Sequence, residues 1–123
     1  MNKTILIVDD EQDLLDLMEI ILEAEGYNVI KAINGKEALV KISTSMPDLV
    51  LLDVMMPIMD GWQVLKNMRK DARTENIPVV MVTAKIGIED KNRGLQEGAS
   101  DYIGKPFSPK EVLSRIKSIL QQD

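Results

Sequence analysis

The sequence predicts an α/β protein in which a five-stranded parallel sheet lies between two layers of helices. Short apolar and β-branched runs alternate along the chain with segments of helical periodicity, in a (βα)5 pattern. The run Leu49-Val50-Leu51-Leu52 is apolar without interruption, which is typical of a strand buried on both faces. Parallel strands joined by right-handed crossovers then form a three-layer sandwich.

Five short runs rich in β-branched and apolar residues predict the strands. They cover Thr4–Val8, Asn28–Ala32, Leu49–Asp53, Val79–Thr83 and Tyr102–Ile103. The first helix follows Glu11, and Gly26 is placed to end it in the left-handed conformation. Its apolar positions share helical spacing; they are Leu14, Leu15, Met18, Ile21 and Leu22.

The later helices begin and end at recognisable residues. Asn34, with Glu37 three residues on, can cap the second helix, and the third follows Asp60-Gly61, where a turn would need the glycine for its backbone angles. The fourth is predicted from about Glu89 to Glu97 and stops at Gly98. The last starts with Ser108 as cap, Pro109 in the first turn and Glu111 reaching back.

Composition limits the chain to one domain and excludes several kinds of chemistry. The 123 residues are 45% apolar, so we expect one hydrophobic core. There are 15 Lys and Arg against 20 Asp and Glu, a net charge of −5, so we expect no nucleic-acid binding by this chain alone. There is no Cys and no His, which excludes thiolate and imidazole chemistry and their metal sites. No apolar stretch approaches the roughly 20 residues that span a bilayer. We therefore expect a cytoplasmic protein without a membrane partner.

Polar side chains are concentrated where the predicted strands end. Asp9 and Asp10 end the first strand, Asp53 the third and Thr83 the fourth, and Lys105 follows the fifth. Singly, Asp10 could cap a helix, Asp53 could be a turn acid and Lys105 a solvated charge. Together they belong to the edge at which open α/β sheets bind ligands. Neighbouring carboxylates repel by roughly 1 to 4 kcal/mol, so the acidic cluster is expected to bind a cation.

Four motifs in this order resemble the receiver domain of two-component response regulators, the CheY-like family. They are ILIVDDE, DLVLLDVMMPIMDG, VVMVTA and GASDYIGKPF, and they extend over essentially the whole chain. The resemblance implies one receiver domain over residues 1–123. It also implies a flavodoxin-like (CheY-like) sheet with strand order 2-1-3-4-5.

The resemblance also implies a chemistry for the strand-end residues. Asp53 is expected to accept a phosphoryl group from a phosphohistidine of a sensor histidine kinase or phosphotransfer protein. Asp9, Asp10, Asp53 and the backbone carbonyl of Met55 are expected to hold Mg²⁺. Oxygen ligands suit Mg²⁺, and the Lys105 ammonium and Thr83 hydroxyl can bind phosphoryl oxygens. The chain is then not an enzyme in the usual sense, because it catalyses only its own phosphoryl transfer and autodephosphorylation.

The resemblance implies three further expectations, about switching and assembly. Lys105-Pro106 is expected to be a cis peptide that directs the ammonium to the site. Thr83 and Tyr102 are expected to act as a switch that remodels the face formed by the fourth helix, the fifth strand and the last helix, with a homodimer on phosphorylation as one outcome. Candidates for ion pairs across that dimer are Asp101, Glu111 and Arg115, with solvated surface charges as the equal alternative.

Three other classes of protein are alternatives to this interpretation. A haloacid-dehalogenase-like phosphohydrolase also uses a strand-end Asp, Mg²⁺ and a lysine, but it needs Asp-x-Asp where this chain has Asp9-Asp10-Glu11. A flavodoxin-like cofactor binder needs a phosphate loop that an acidic cluster would repel. A phosphorylation-independent receiver scaffold usually shows losses in the acidic site.

Overall fold

A single parallel sheet of five strands in the order β2-β1-β3-β4-β5 organises the protein. The computed structural model describes residues 2–84, 92 and 96–120. The strands are β1 (Thr4–Val8), β2 (Asn28–Ala32), β3 (Leu49–Asp53), β4 (Val79–Thr83) and β5 (Asp101–Gly104). The predicted fold class and strand order are therefore confirmed, and β5 is one residue longer at each end than predicted.

Four helices pack on the sheet within the described part of the chain. They are α1 (Gln12–Ala24), α2 (Gly35–Ser45), α3 (Gly61–Lys70) and α4 (Pro109–Ile119). The helix predicted from about Glu89 to Glu97 lies outside the described residues, apart from positions 92, 96 and 97. None of the described helices has the length and apolarity to cross a membrane.

Alternating side chains of each strand build two cores, one on each face of the sheet. Leu6 and Val8 of β1 belong to the cluster covered by α2 and α3, whereas Ile5 and Ile7 belong to the cluster covered by α1 and α4. All five residues of β3 are buried. Two buried faces explain why the central strands are continuously apolar, and they confirm the three-layer arrangement.

The predicted helix caps are largely present. The Asn34 side chain accepts a hydrogen bond from the backbone N–H of Glu37, and Ser108 does the same for Glu111. Gly26 has φ +91, as expected for the residue that ends α1. The C-cap of α2 is Met46, whose φ of 44 places a non-glycine residue in the left-handed region.

Arg69 lies near the end of α3 and hydrogen-bonds to two loops. These loops are at the edge of the sheet where the strands begin, opposite the strand ends that carry the aspartates. Its Nε and Nη2 donate to the Gly98 carbonyl at 3.0 and 2.8 Å, and its Nη1 donates to the Ile77 carbonyl at 2.9 Å. Burial lowers the pKa of Arg69. Because Ile77 precedes β4 and Gly98 precedes β5, one side chain fastens the starts of both strands to α3.

Candidate functional site

The carboxyl ends of β1 and β3 bring three aspartates together. Asp9 and Asp10 follow β1, Asp53 is the last residue of β3, and β1 and β3 are direct neighbours in the sheet. One carboxylate oxygen from each aspartate lies within 4.8 Å of the others. Asp9 and Asp53 are buried and Asp10 is exposed, so the cluster opens to solvent on one side.

Lys105 lies against two of the aspartates. Its ammonium is 2.8 Å from Oδ2 of Asp9 and 3.5 Å from Oδ2 of Asp53. The peptide bond that joins Lys105 to Pro106 is cis. A salt bridge between residues 96 positions apart thus closes the site from the β5 side.

Backbone donors hold the two buried carboxylates in place. Oδ1 of Asp9 accepts the N–H of Glu11 at 2.9 Å, and Oδ1 of Asp53 accepts the N–H of Met55 at 3.2 Å. Glu11, not Asp10, is the N-cap residue of α1, and it makes no side-chain capping bond. The exposed Asp10 carboxylate therefore belongs to the acidic cluster and does not cap the helix.

The surroundings of the site raise the pKa of Asp53 and the pKa of Lys105 for different reasons. Burial, followed by the negative charge of Asp9, raises the pKa of Asp53 to about 6, although Lys105 and the Met55 N–H act in the opposite direction. Burial would lower the pKa of Lys105, but its hydrogen bond to Asp9 and the charges of both carboxylates outweigh burial and raise it. A pKa of about 6 leaves Asp53 mostly ionised at neutral pH, beside the charged ammonium of Lys105.

The donor set suits a hard cation. Three carboxylates whose oxygens lie within 4.8 Å of one another can share one ion, and oxygen-only donors are the ligands of hard divalent metals. The three aspartates predicted to bind metal are thus adjacent and together could hold a metal ion. Met55, whose carbonyl was predicted as a further ligand, follows Asp53 by two residues and has a side chain that is 53% exposed.

Thr83 ends β4 at the same edge of the sheet, and Tyr102 is the second residue of β5. Thr83 is fully buried and is the residue after Val82, which pairs with Asp53 in the sheet. Tyr102 pairs with Met81 and is only 3% exposed, so its ring already lies inside the core that α2 and α3 cover. Thr83 therefore ends the strand next to β3, and Tyr102 is packed in the core.

The predicted dimer-face residues behave in different ways. Arg115 of α4 donates from Nη1 to Oδ2 of Asp101 at 2.6 Å, which is an ion pair within one chain. Oδ1 of the same Asp101 accepts the N–H of Tyr102. Glu111 is exposed near the start of α4.

One prediction at this edge is wrong in its physical reason. Gly61 was expected to be needed for turn angles, yet its φ does not lie in the left-handed region that favours glycine. Instead, a Cβ on Gly61 would lie 2.3 Å from the carbonyl oxygen of Asp53. The available sequence signal was a glycine, a poor helix former, placed at the first position of a helix directly after its cap.

Comparison with known proteins agrees with this fold. Residues 5–117 match the sequence model of the response regulator receiver domain, and the chain belongs to this family. It is 49% identical over 122 residues to the alkaline phosphatase synthesis transcriptional regulatory protein PhoP of Bacillus subtilis (strain 168), covering 99% of this chain and 50% of that protein. It is 41% identical to the phosphate regulon transcriptional regulatory protein PhoB of Escherichia coli (strain K12), covering 99% of this chain and 53% of that protein.

Solved structures show the same similarity in three dimensions. The chemotaxis protein CheY4 of Vibrio cholerae superposes with a TM-score of 0.92 at 30% identity, covering 97% of this chain and 99% of that one. A CheY-like receiver domain protein from Methanospirillum hungatei JF-1 gives 0.91 at 37% identity, covering 98% and 95%. The chain spans about half the length of the curated relatives it matches. It is a receiver domain of response regulators, and none of these comparisons supports a phosphohydrolase.

Proposed function

We propose that Asp53 accepts a phosphoryl group from a phosphohistidine on a partner sensor kinase or phosphotransfer protein, in a reaction that depends on Mg²⁺. The proposal rests on the position of the Asp53 carboxylate. It is 5% exposed, adjoins the Asp9 and Asp10 carboxylates and has the Lys105 ammonium 3.5 Å away. A buried nucleophile between an acidic cluster and a fixed cation is suited to phosphoryl transfer.

Each residue of the site has a defined part in this reaction. An oxygen of ionised Asp53 forms a bond to phosphorus while the bond from phosphorus to the histidine nitrogen breaks, and the departing imidazole takes up a proton from solvent. Lys105 and the Thr83 hydroxyl would bind oxygens of the transferred group. Ionisation is required for attack, and a pKa of about 6 leaves Asp53 mostly ionised at neutral pH.

Asp9, Asp10, Asp53 and the Met55 carbonyl would hold the cation. When bound, Mg²⁺ supplies positive charge to the phosphoryl oxygens and offsets the repulsion among the carboxylates. In the metal-free protein, Lys105 partly serves the second purpose, because its ammonium contacts both Asp9 and Asp53.

The phosphoryl donor comes from another molecule. These 123 residues contain no histidine, so the chain supplies no phosphohistidine of its own. We propose that residues 1–123 form one receiver domain that catalyses only its own phosphorylation and dephosphorylation. The absence of cysteine is in keeping with a reducing compartment, and we propose the cytoplasm as the setting.

The output we propose is a change of the face formed by the segment before β5, β5 itself and α4. Thr83 would move towards the phosphoryl group, and the packing of Tyr102 would respond. Such a switch needs contacts that differ between the two states. A symmetric homodimer that uses Asp101, Glu111 and Arg115 is one expected consequence. If the chain is part of a longer regulator with a DNA-binding domain, dimerisation would change how that domain binds DNA.

Labelling with acetyl phosphate tests the chemistry. Intact-mass measurement should show one added phosphoryl group when Mg²⁺ is present and none when a chelator replaces it. Asp53→Asn should remain folded and unlabelled, whereas Asp60→Asn, a neighbouring acid outside the cluster that caps α3, should label like the wild type. Labelling that survives Asp53→Asn would assign the nucleophile to another residue and contradict the proposal.

A further inference from the structure

Helix α3 begins in direct contact with the backbone of the phosphoacceptor. Gly61 is the first residue of α3, and its N–H donates to the Val54 carbonyl at 3.0 Å. A Cβ built on Gly61 would lie 2.3 Å from the Asp53 carbonyl oxygen and 2.9 Å from the Val54 Cα. Both of those atoms belong to the backbone, so neither can rotate away. The helix reaches the end of β3 only because residue 61 has no side chain.

Neither backbone angle nor helix initiation explains this glycine. Its φ lies outside the left-handed region, so an alanine could adopt the same backbone conformation. The start of α3 is already defined by a capping box in which Asp60 and Gln63 exchange hydrogen bonds. Glycine is also a poor helix former. What Gly61 provides is therefore space next to Asp53.

The space lies where the active-site backbone is anchored. The carbonyl that a Cβ would displace belongs to Asp53 itself, and the adjoining residues lead directly to Met55. The Met55 N–H donates to Oδ1 of Asp53 at 3.2 Å, so carboxylate and loop are linked. A displacement of the Asp53 carbonyl would therefore also displace the Asp53 carboxylate and the Met55 backbone. The interior is close-packed, so such a shift is not absorbed locally.

We propose that Gly61 is a positioning residue for phosphoryl transfer, which rests on the proposed function of Asp53. By leaving room for the Asp53 carbonyl, it sets the position of the Asp53 carboxylate and of the Met55 carbonyl relative to Asp9, Asp10 and Lys105. It touches neither the phosphoryl group nor the cation.

The chain offers a matched control for this idea. Gly35 is the first residue of α2, is buried, and also has a φ outside the left-handed region. A Cβ on Gly35 would lie 2.7 Å from the Met59 carbonyl oxygen and 2.8 Å from the Met59 Cγ. Gly35→Ala thus makes a similar clash at the first position of a helix, against the far end of the loop that follows Asp53. It should lower stability without displacing the nucleophile.

Both alanine variants are best made in the stabilised background Met46→Gly. Met46 lies at the end of α2 with φ 44, where glycine relieves the left-handed strain, and it takes no part in the site. Folding of each variant is checked by circular dichroism and urea denaturation before any rate is compared.

Two measurements distinguish positioning from stability. The first is the maximal rate of labelling by acetyl phosphate in saturating Mg²⁺, which we expect Gly61→Ala to lower by about 10-fold or more, because misplacement of a reacting group by 1 Å can cost roughly 100-fold. The second is the apparent Mg²⁺ dissociation constant, followed by fluorescence of Trp62, the single tryptophan. We expect Gly61→Ala to raise it by about 10-fold, as changes to the support of metal ligands do. Gly35→Ala should change either quantity by less than about 2-fold, an effect within the spread of remote substitutions.

The outcomes separate this inference from the proposed function. Equal losses of rate and of Mg²⁺ affinity in the two variants, or wild-type values in Gly61→Ala, would overturn the positioning role. So would a Gly61→Ala protein that does not fold where Gly35→Ala does, because the contact would then be structural. If the wild type is not labelled at all but Gly61→Ala alone weakens Mg²⁺ binding, the positioning of the cluster stands and the phosphoacceptor proposal fails.

Discussion

Replacing Asp53 by asparagine should make the metal-free protein more stable at neutral pH. The carboxylate is buried, and its pKa is raised from 3.8 to about 6, mainly by burial and then by the charge of Asp9. A raised pKa means that ionisation disfavours the folded state relative to the unfolded chain. A rise of about 2 units at roughly 1.4 kcal/mol per unit sets an upper limit of about 3 kcal/mol. Relaxation of solvent and side chains around the open cluster brings the expected gain to between about 1 and 3 kcal/mol.

The pH dependence of this gain follows from its sign. Well below pH 3.8, the pKa of Asp53 in the unfolded chain, the residue is protonated in both states, so wild type and variant should be equally stable apart from local packing. As the pH rises through the window from about 4 to 6, the unfolded chain ionises first and the wild type loses stability relative to Asp53→Asn. Above about pH 7 the difference should be constant.

Urea denaturation in chelator, at half-unit steps from pH 4 to pH 8, measures the difference directly. Asp71→Asn is the matched control of opposite sign. The pKa of Asp71 is lowered, first by the N–H of Arg73 that its carboxylate accepts and then by the Arg73 guanidinium, so its neutralisation should destabilise the protein. Because that lowered pKa lies below 3.8, the loss of stability should be nearly constant from pH 4 to pH 8. Repeating the series in millimolar Mg²⁺ should narrow the Asp53→Asn gap, because the wild type gains more from the cation.

One result would refute the reasoning. If Asp53→Asn is less stable than the wild type at pH 7 in chelator, the carboxylate gains more from Lys105 and the Met55 N–H than it loses by burial beside Asp9. The acids would then be structural partners, and the account of the cluster as a metal site held at a cost in stability would need replacing.

Three further predictions test other parts of the structure. Asp10→Asn should stabilise the metal-free protein by less than Asp53→Asn does, since Asp10 is exposed, and should blunt the rise in melting temperature on adding Mg²⁺, both measured by calorimetry. Met46→Gly should raise the free energy of unfolding by about 0.5 to 1 kcal/mol by relieving the φ of 44, and an unchanged urea midpoint would contradict this. Arg69→Met removes three hydrogen bonds to the Gly98 and Ile77 carbonyls and should cost about 1 to 3 kcal/mol, with faster amide exchange in the segment that follows Gly98; protection there equal to wild type would argue against the tie.

Most of the fold could be predicted because its determinants are local. Buried parallel strands leave continuous β-branched runs, and capping residues such as Asn34 and Ser108 mark helix starts in the sequence itself. The ends of β5 were missed because Asp101 and Gly104 are residue types depleted in strands. They are strand residues here because they pair with Val80 and Thr83 of β4, which a local pattern does not reveal.

For the site, too, some features could be predicted from the sequence and others could not. The five strand-end residues could be predicted because parallel strands present their carboxyl ends at one edge. The sequence could not show that Lys105 lies closer to Asp9 than to Asp53, since that depends on distances between residues 96 positions apart. Nor could it show that Gly61 is needed for space, because the carbonyl that demands the space belongs to a different element. The assignments of phosphoacceptor, metal ligands and switch residues stay predictions until the labelling and metal titrations are made.

The pair between Asp101 and Arg115 has a consequence for how tightly two copies could associate. Each chain already satisfies both charges internally, at 2.6 Å. A symmetric dimer that used the same two residues would break two pairs and form two, so the number of ion pairs before and after association is equal. Such an exchange contributes selectivity for an identical partner but little net affinity. The dissociation constant of such a dimer would then depend on contacts made by other residues of the face. Because the ion pairs add little net affinity, the dimeric fraction would respond to modest changes in protein concentration.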